Sequence, residues 1–189
     1  MRVGVVAIQG DYEKHLAALE RSEIDGLDAR EVRTPEELAQ VDRVILPGGE
    51  STTVGLLLER YGLGDALKKA AGEGMPMWGT CMGMIVLARE VIGKPGQYTL
   101  GLLDAQVRRN AFGAQVHSFE DEVRMKGFDE PVLGVFIRAP VVEEVGPGVE
   151  ELGRYDDKIV AIRQGNVVGT SFHPELTEDV RLHHWFARL

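Results

Sequence analysis

Met75-Pro-Met-Trp-Gly-Thr-Cys-Met-Gly-Met-Ile-Val-Leu-Ala-Arg-Glu90 is the stretch on which the fold turns. Met75 to Gly79 is a short apolar run of strand length, and Met82 to Glu90 reads as a helix. Between them, Gly79-Thr80-Cys81-Met82-Gly83 has the form Gly-x-nucleophile-x-Gly, the elbow that joins strand to helix in α/β enzymes. Side chains flanking so tight a turn would collide, which is why glycine is needed on both sides. The turn lifts residue 81 off the end of a sheet and sets it at a helix N-terminus. There the helix dipole and free N–H groups favour a thiolate, and the N–H of Met82 is placed to donate to an oxyanion. The competing reading of Cys81, the only cysteine in the chain, is an inert buried residue.

Outward from the elbow, the first half of the chain alternates short β-branched runs with helical stretches. Val3 to Ile8 reads as a buried strand, followed by an amphipathic stretch with Leu16 and Leu19 on one side. Val44 to Pro47 reads as a second strand ending in Gly48-Gly49, and Ser51, Thr52 and Thr53 offer a cap to a helix carrying Leu56, Leu57 and Leu58. Such alternation implies parallel pairing and a three-layer α/β sandwich. The second half is strand-rich: Leu102 to Arg109, Gln115 to Met125 and Val132 to Ile137. Lys158 to Arg163 and Val167 to Phe172 flank Gln164-Gly165-Asn166, a hairpin turn. An antiparallel extension on a mostly parallel sheet fits this order. A short helix over Glu178 to Arg188 closes the chain.

The 189 residues carry no linker, repeat or low-complexity tract, so one domain spanning 1–189 is expected. The net charge of −9, without a basic stripe, argues against nucleic acid and anionic membranes as partners. No apolar run is long enough to span a bilayer, and the lone cysteine makes no internal disulfide, so a reducing, cytoplasmic setting is expected. The five histidines and one cysteine show neither CxxC nor HExxH spacing, leaving a metal site without support.

A cysteine nucleophile needs a base. His173 sits in Ser171-Phe172-His173-Pro174-Glu175 at the end of an apolar strand, and Pro174 disfavours helical geometry at His173. In extended backbone His173 and Glu175 face the same way, and a carboxylate beside an imidazole is the third role of a triad. Taken alone, a strand-end histidine with a solvated glutamate is the plainer reading. His15 reads as part of a surface helix and His117 as part of a strand, both structural. Of the adjacent His183 and His184, one is expected to be tucked in. Pro47-Gly48-Gly49-Glu50-Ser51 puts a glycine pair at a strand's C-terminal end, where α/β sheets collect ligands, although a plain tight turn would look the same. Without GxxxxGK[ST] or GxGxxG spacing it does not indicate a nucleotide.

Together, GTCMG, LPGGEST and SFHPE resemble the class I, triad-type glutamine amidotransferases. AIQGDYEKH, LPGGESTT, RRNAFGAQVHSFE, GVFIRAP and SFHPELTED extend the likeness along the whole chain and make it closest to the glutaminase subunits of pyridoxal 5′-phosphate synthases. The resemblance implies a flavodoxin-like core, and Cys81 as nucleophile, His173 as base and acid, and Glu175 as its orienting carboxylate. It implies that L-glutamine is held by Gly49, Glu50 and Ser51, by Arg109, and by Ile137 and Arg138. Met82 and Gly49 would supply the oxyanion donors. It also implies a (β/α)8-barrel synthase partner docking near Gln9 and Gly10, and no cofactor. Arginine's planar fork suits an α-carboxylate, but the residues alone do not single out Arg109 and Arg138 from the other basic side chains. Met82 departs from the small residue common after the nucleophile; only its backbone N–H is required. Two alternatives remain: a glutaminase serving another synthase, such as that of imidazole glycerol phosphate, and a non-catalytic flavodoxin-like binding module.

Overall fold

A computed structural model describes residues 1–112 and 118–189. His117, and the first residues of the strand expected from Gln115, lie outside the described residues. In chain order the first half contains Arg2–Val6 (β1), Tyr12–Arg21 (α1), Asp28–Val32 (β2), Pro35–Leu38 (α2), Arg43–Leu46 (β3), Ser51–Arg60 (α3), Leu63–Gly72 (α4), Met77–Thr80 (β4) and Met82–Leu87 (α5). The second half contains Ala88–Val91 (β5), Leu103–Arg108 (β6), Ser118–Met125 (β7), Val132–Ile137 (β8), Val141–Val145 (β9), Glu150–Tyr155 (β10), Lys158–Gln164 (β11), Val167–Thr170 (β12) and Arg181–Ala187 (α6).

Strands β2-β1-β3-β4-β12 pair in parallel, and β11, β10, β7 and β8 continue the sheet beyond β12. The pairings β12–β11, β11–β10, β10–β7 and β7–β8 are antiparallel, the extension expected from the strand-rich second half. β11 and β12 are joined through Gly165-Asn166, with Gln164 opposite Val167. Side chains of the parallel strands alternate between two cores. Val44, Leu46 and Met77 face the helices α3, α4 and α5 through Val54, Leu58, Leu63, Leu67 and Met84. Val3, Val5, Ile45 and Trp78 face α1 and α6 through Leu19, Leu182 and Phe186. Strands covered on both faces read as unbroken apolar runs, which is why β3 and β4 stand out in the sequence. The α/β three-layer architecture follows.

Four local expectations are corrected. The helix after the elbow ends at Leu87 rather than Glu90: Ala88 has extended dihedrals (φ −64°, ψ 160°) and begins β5, which pairs with β6. The cap of α3 is Glu50, whose carboxylate accepts from the N–H groups of Thr52 and Thr53. Glu50 thus takes the role expected of Ser51 to Thr53, and two orphan donors of the first turn are satisfied by one side chain. The closing helix starts at Arg181, preceded by a turn in which Asp179 accepts from the N–H of Arg181. Finally, β2, with the polar sequence Asp-Ala-Arg-Glu-Val, and the strands β9 and β10 were not expected. β2 lies at the sheet edge, where only part of each face is covered and charged residues are tolerated.

The elbow's glycines are set by backbone contact. A Cβ at Gly79 would run into the backbone of Gly83 and Met84, and one at Gly83 into the carbonyl of Leu46. Gly83→Ala is therefore expected to destabilise the protein by about 3 kcal/mol or more, the upper range for overpacking against a backbone that has nowhere to move. Gly72→Ala, whose Cβ meets nothing within 4 Å, is expected to be neutral or slightly stabilising. Urea unfolding of the two variants beside the parent measures the contrast.

Candidate active site

β4 and β12 run side by side with Gly79 opposite Gly169 and Thr80 opposite Thr170, and the N–H of Cys81 donates to the carbonyl of Thr170 at 2.8 Å. The residues following the two strands are thereby brought to one end of the sheet. Cys81 has φ 49° and ψ −103°, a conformation that costs a non-glycine residue of the order of 1–3 kcal/mol. Three of the five described non-glycine residues with positive φ, Cys81, Asn110 and Arg138, line a single cleft. Backbone strain is concentrated there.

The cleft has a volume of about 280 Å³. Every predicted site residue except Gly10 and Glu175 lines it: Gln9, Gly49, Glu50, Ser51, Cys81, Met82, Arg109, Ile137, Arg138 and His173, joined by Asp11, Ile85 and Asn110. Glu175 lies behind the cleft, 2% exposed, with Oε1 2.7 Å from Nδ1 of His173. The pair forms, although not on extended backbone. After His173 (φ −107°, ψ 84°), Pro174–Leu176 is a 3-10 turn, and the His173 N–H is anchored to the carbonyl of Val135 on β8. Gly10 packs against the carbonyl of Gly48, and the side chain of Gln9 accepts from the N–H of Glu50 at 2.9 Å. Gln9 and Gly10 therefore brace the Gly48-Gly49-Glu50 turn from the rim.

The basic residues converge through a backbone pairing that no local signal announces. The N–H of Ala111 donates to the carbonyl of Ala139, so the segment after β6 runs beside the end of β8. Phe112 packs on Phe136, which stacks on Phe119 with ring planes 6° apart. Arg109 and Ile137-Arg138 thus meet at one rim. Arg109 also reaches Glu50 at 3.4 Å. The hydrogen bond from the Thr53 N–H, more than any other cause, holds the Glu50 carboxyl down at about 2. Glu50 is therefore an anion committed to capping α3 and to facing Arg109. Ser51 is 1% exposed and its Oγ has no partner among the described residues. A buried hydroxyl of this kind, lining a cleft, is suited to meeting a polar group of a ligand.

Cys81 is 8% exposed and His173 4%. Burial opposes charge on His173, but hydrogen bonds to Cys81 and Glu175, and the charges of both, push its pKa up to about 10. Burial, the largest cause, leaves the Glu175 carboxyl above its ordinary value, although the bond to His173 pulls it down. The N–H of Met82, first in α5, has no partner within the helix and lies beside the sulfur. Asp11, His173 and Glu175 also bring three ligand-type atoms within 4.8 Å of one another. Because Nδ1 of His173 already bonds Glu175, these atoms are better described as a hydrogen-bonded pair with an exposed carboxylate at its edge. A larger hollow of about 780 Å³, between Phe128 and Trp185, holds none of the predicted residues.

One expectation fails outright. His15 is not on a surface: it is fully buried, facing His183 and Thr80. The signal was available, since His15 precedes Leu19 by four residues and so shares its buried stripe with Ala18. His183 is the buried member of its pair, as expected of one of the two.

A strained cysteine at an elbow, an imidazole beside it and a buried carboxylate behind the imidazole form the constellation of thiol-nucleophile enzymes. The chain belongs to the SNO glutamine amidotransferase family, which it matches over residues 5–189. It is 52% identical to the pyridoxal 5′-phosphate synthase subunit PdxT of Parafrankia sp., covering 100% of this chain and 92% of that one. It is also 52% identical to a subunit of the same name from Thermus thermophilus, covering 99% and 96%. A solved glutamine amidotransferase superposes with a TM-score of 0.93 at 50% identity, over 98% of this chain and 97% of that one. The PurLQS structure from Thermotoga maritima, at 20% identity and a TM-score of 0.73, shares the fold.

If the sulfur is what holds a proton on His173, Cys81→Ala should drop the His173 pKa well below 10. A nuclear magnetic resonance titration of labelled histidine reads this directly. The sign for stability follows: the folded value lies above the unfolded 6.5, so the stabilisation from this charge is complete below about pH 6.5 and is lost as pH rises through about 10.

Proposed function

We infer that this chain is the glutaminase subunit of a pyridoxal 5′-phosphate synthase, hydrolysing L-glutamine to L-glutamate and ammonia for a synthase partner. The observation that carries the reading is the Cys81–His173–Glu175 arrangement in a chain about half identical, over nearly its full length, to subunits of that name. In this reading the α-carboxylate of glutamine is held by Arg109 and Arg138 at the rim, and the hydroxyl of Ser51 takes a polar group of the substrate. Gly49, Glu50 and Ile137 shape the walls.

Proton transfer from Cys81 to His173 leaves a thiolate, which attacks the side-chain amide carbon. The N–H groups of Met82 and Gly49 receive the developing oxyanion, the charge that must be met in the transition state. His173 returns its proton to the departing nitrogen, which leaves as ammonia with a thioester on Cys81. Water then gives its proton to His173 and attacks the thioester carbonyl, releasing glutamate and the thiol. Glu175 keeps the His173 ring in one tautomer and stabilises its charged form throughout. Each step uses side chains and backbone of this chain.

Ammonia in neutral water is mostly protonated and no longer nucleophilic, so the product is useful only if delivered directly. The partner is proposed to be a (β/α)8-barrel synthase that docks beside Gln9 and Gly10. Those residues brace the turn carrying Gly49, so a partner pressing on them would set the second oxyanion donor. Among the described residues no helix is long and apolar enough to cross a membrane, and the reading places the reaction in the cytoplasm.

Ammonia release from glutamine, measured with and without the synthase subunit, tests the proposal. Turnover should rise at least about tenfold on adding the partner, and Cys81→Ser should reduce it by roughly a thousandfold or more, as loss of a covalent nucleophile does. Full activity in Cys81→Ser, or activation only by the synthase of another pathway, would contradict the reading.

A further inference from the structure

None of the side chains immediately behind Glu175 lines the cleft, yet they form a continuous polar row. Nδ1 of His15 lies 2.9 Å from Nε2 of His183, and Nε2 of His15 lies 3.0 Å from Oγ1 of Thr80, the residue preceding the nucleophile. The same Nε2 is 3.4 Å from Oε2 of Glu175. That oxygen makes no hydrogen bond among the described residues, so His15 Nε2 is its near neighbour rather than its bonded partner, while Oε1 is engaged by His173. α1, α6, β4 and the turn after β12 thus each contribute one group. His15 and His183 are fully buried.

Both rings are neutral. Burial, then the charges of His183 and His173, hold His15 well below the ordinary histidine value. Burial and then Arg21 lower His183 to about 3, against the pull of Asp179. A neutral imidazole carries one proton, so the contact between the rings admits two arrangements. If His15 carried its proton on Nδ1, its bare Nε2 could accept from the Thr80 hydroxyl but would set a lone pair against Oε2 of Glu175, 3.4 Å away. His183 would then hold its proton on Nδ1, a buried donor with no partner among the described residues. Placing the proton on Nε2 in both rings removes both faults. His183 donates to Nδ1 of His15, His15 donates to Thr80 with Glu175 alongside, and among the ring nitrogens the only unmet group is the lone pair on Nδ1 of His183. Unpaired buried acceptors are tolerated better than unpaired donors.

We propose that His15 is a positioning residue of the triad: fixed by His183 with its proton on Nε2 and bonded to Oγ1 of Thr80, it sets that N–H against Oε2 of Glu175, 3.4 Å away, and so favours the ionised carboxylate and keeps it aimed at His173. The proposal rests on the glutaminase reading of Cys81, His173 and Glu175. It puts a donor beside the carboxylate oxygen that has no hydrogen bond, and ties the orientation of that carboxylate to the residue from which the elbow springs. Without the donor, Glu175 takes up a proton at higher pH and His173 loses its anionic partner.

The test uses the complex with the synthase subunit and three proteins: the parent, His15→Leu and His15→Gln, in which the amide N–H reaches where Nε2 stood. His15→Leu is expected to lower kcat on the order of tenfold to a hundredfold, the worth of a hydrogen bond to a charged group, with KM for glutamine within about twofold. Its acid limb in the pH profile of kcat should move upward, and His15→Gln should recover most of both. In labelled-histidine spectra of the parent, His15 and His183 should each carry the proton on Nε2. A proton on Nδ1 of either ring overturns the proposal, as does an unchanged kcat and acid limb in His15→Leu, or a His15→Gln no better than His15→Leu. If His15→Leu fails to fold, the tautomers of the parent decide. A parent that releases no ammonia even with its partner sinks the glutaminase reading itself, which is a different result from an active parent with indifferent variants.

Discussion

The parallel pairing of β4 with β12 is the constraint on which the site depends. It sets Thr80 opposite Thr170, and the bond from the Cys81 N–H to the Thr170 carbonyl fixes where the chain leaves the sheet. One strand then turns into α5 and presents a sulfur; the other runs on for three residues and presents an imidazole. Gly79 and Gly169, paired in the same row, leave room for α5 to lie close, since a Cβ at Gly169 would press on Met84. A bond from the Trp78 Nε1–H to the hydroxyl of Thr170 ties the two strands through their side chains as well. Groups from opposite halves of the chain are positioned by backbone ladders, which hold geometry more firmly than loops do.

Around this fixed pair, the site is assembled from strained and buried parts whose stability comes from elsewhere. Cys81, Asn110 and Arg138 hold left-handed backbone at the cleft. The two cores on either face of the sheet over-determine those conformations. The His173–Glu175 pair is unfavourable to bury unless each charge is answered; Cys81 answers His173 on one side, and on the other Nε2 of His15 lies 3.4 Å from Glu175.

Much of this was legible from residues alone, and for identifiable reasons. The elbow declares itself because no other local geometry needs glycine on both sides of a nucleophile between strand and helix. β3, β4 and β12 are buried on both faces and read as apolar runs, and Gly165-Asn166 marks a turn. What could not be read locally depends on tertiary closure. Arg109 and Arg138 meet because Ala111 pairs with Ala139, and neither carries a periodicity that says so; only the family resemblance singled them out. β2 is hidden by its charges, and β5 by a run, Met82 to Glu90, that suits a helix until pairing with β6 claims its end. The resemblance gives Glu50 to the substrate, and nothing local marks it as the cap of α3, because Ser51, Thr52 and Thr53 look like better caps. His15 follows Glu13 and Lys14 and so reads as surface, although its spacing from Leu19 puts it inside.

The covalent intermediate is the most direct measure of the central claim, that the strand pairing delivers a reactive sulfur to a glutamine amide. The complex with the synthase subunit, mixed with glutamine, quenched in acid within the first turnovers and digested, should show a glutamyl adduct on the peptide carrying Cys81, absent when glutamine is replaced by glutamate. Turnover to ammonia with no adduct on that peptide at any quench time, or an adduct on a different residue, would contradict it.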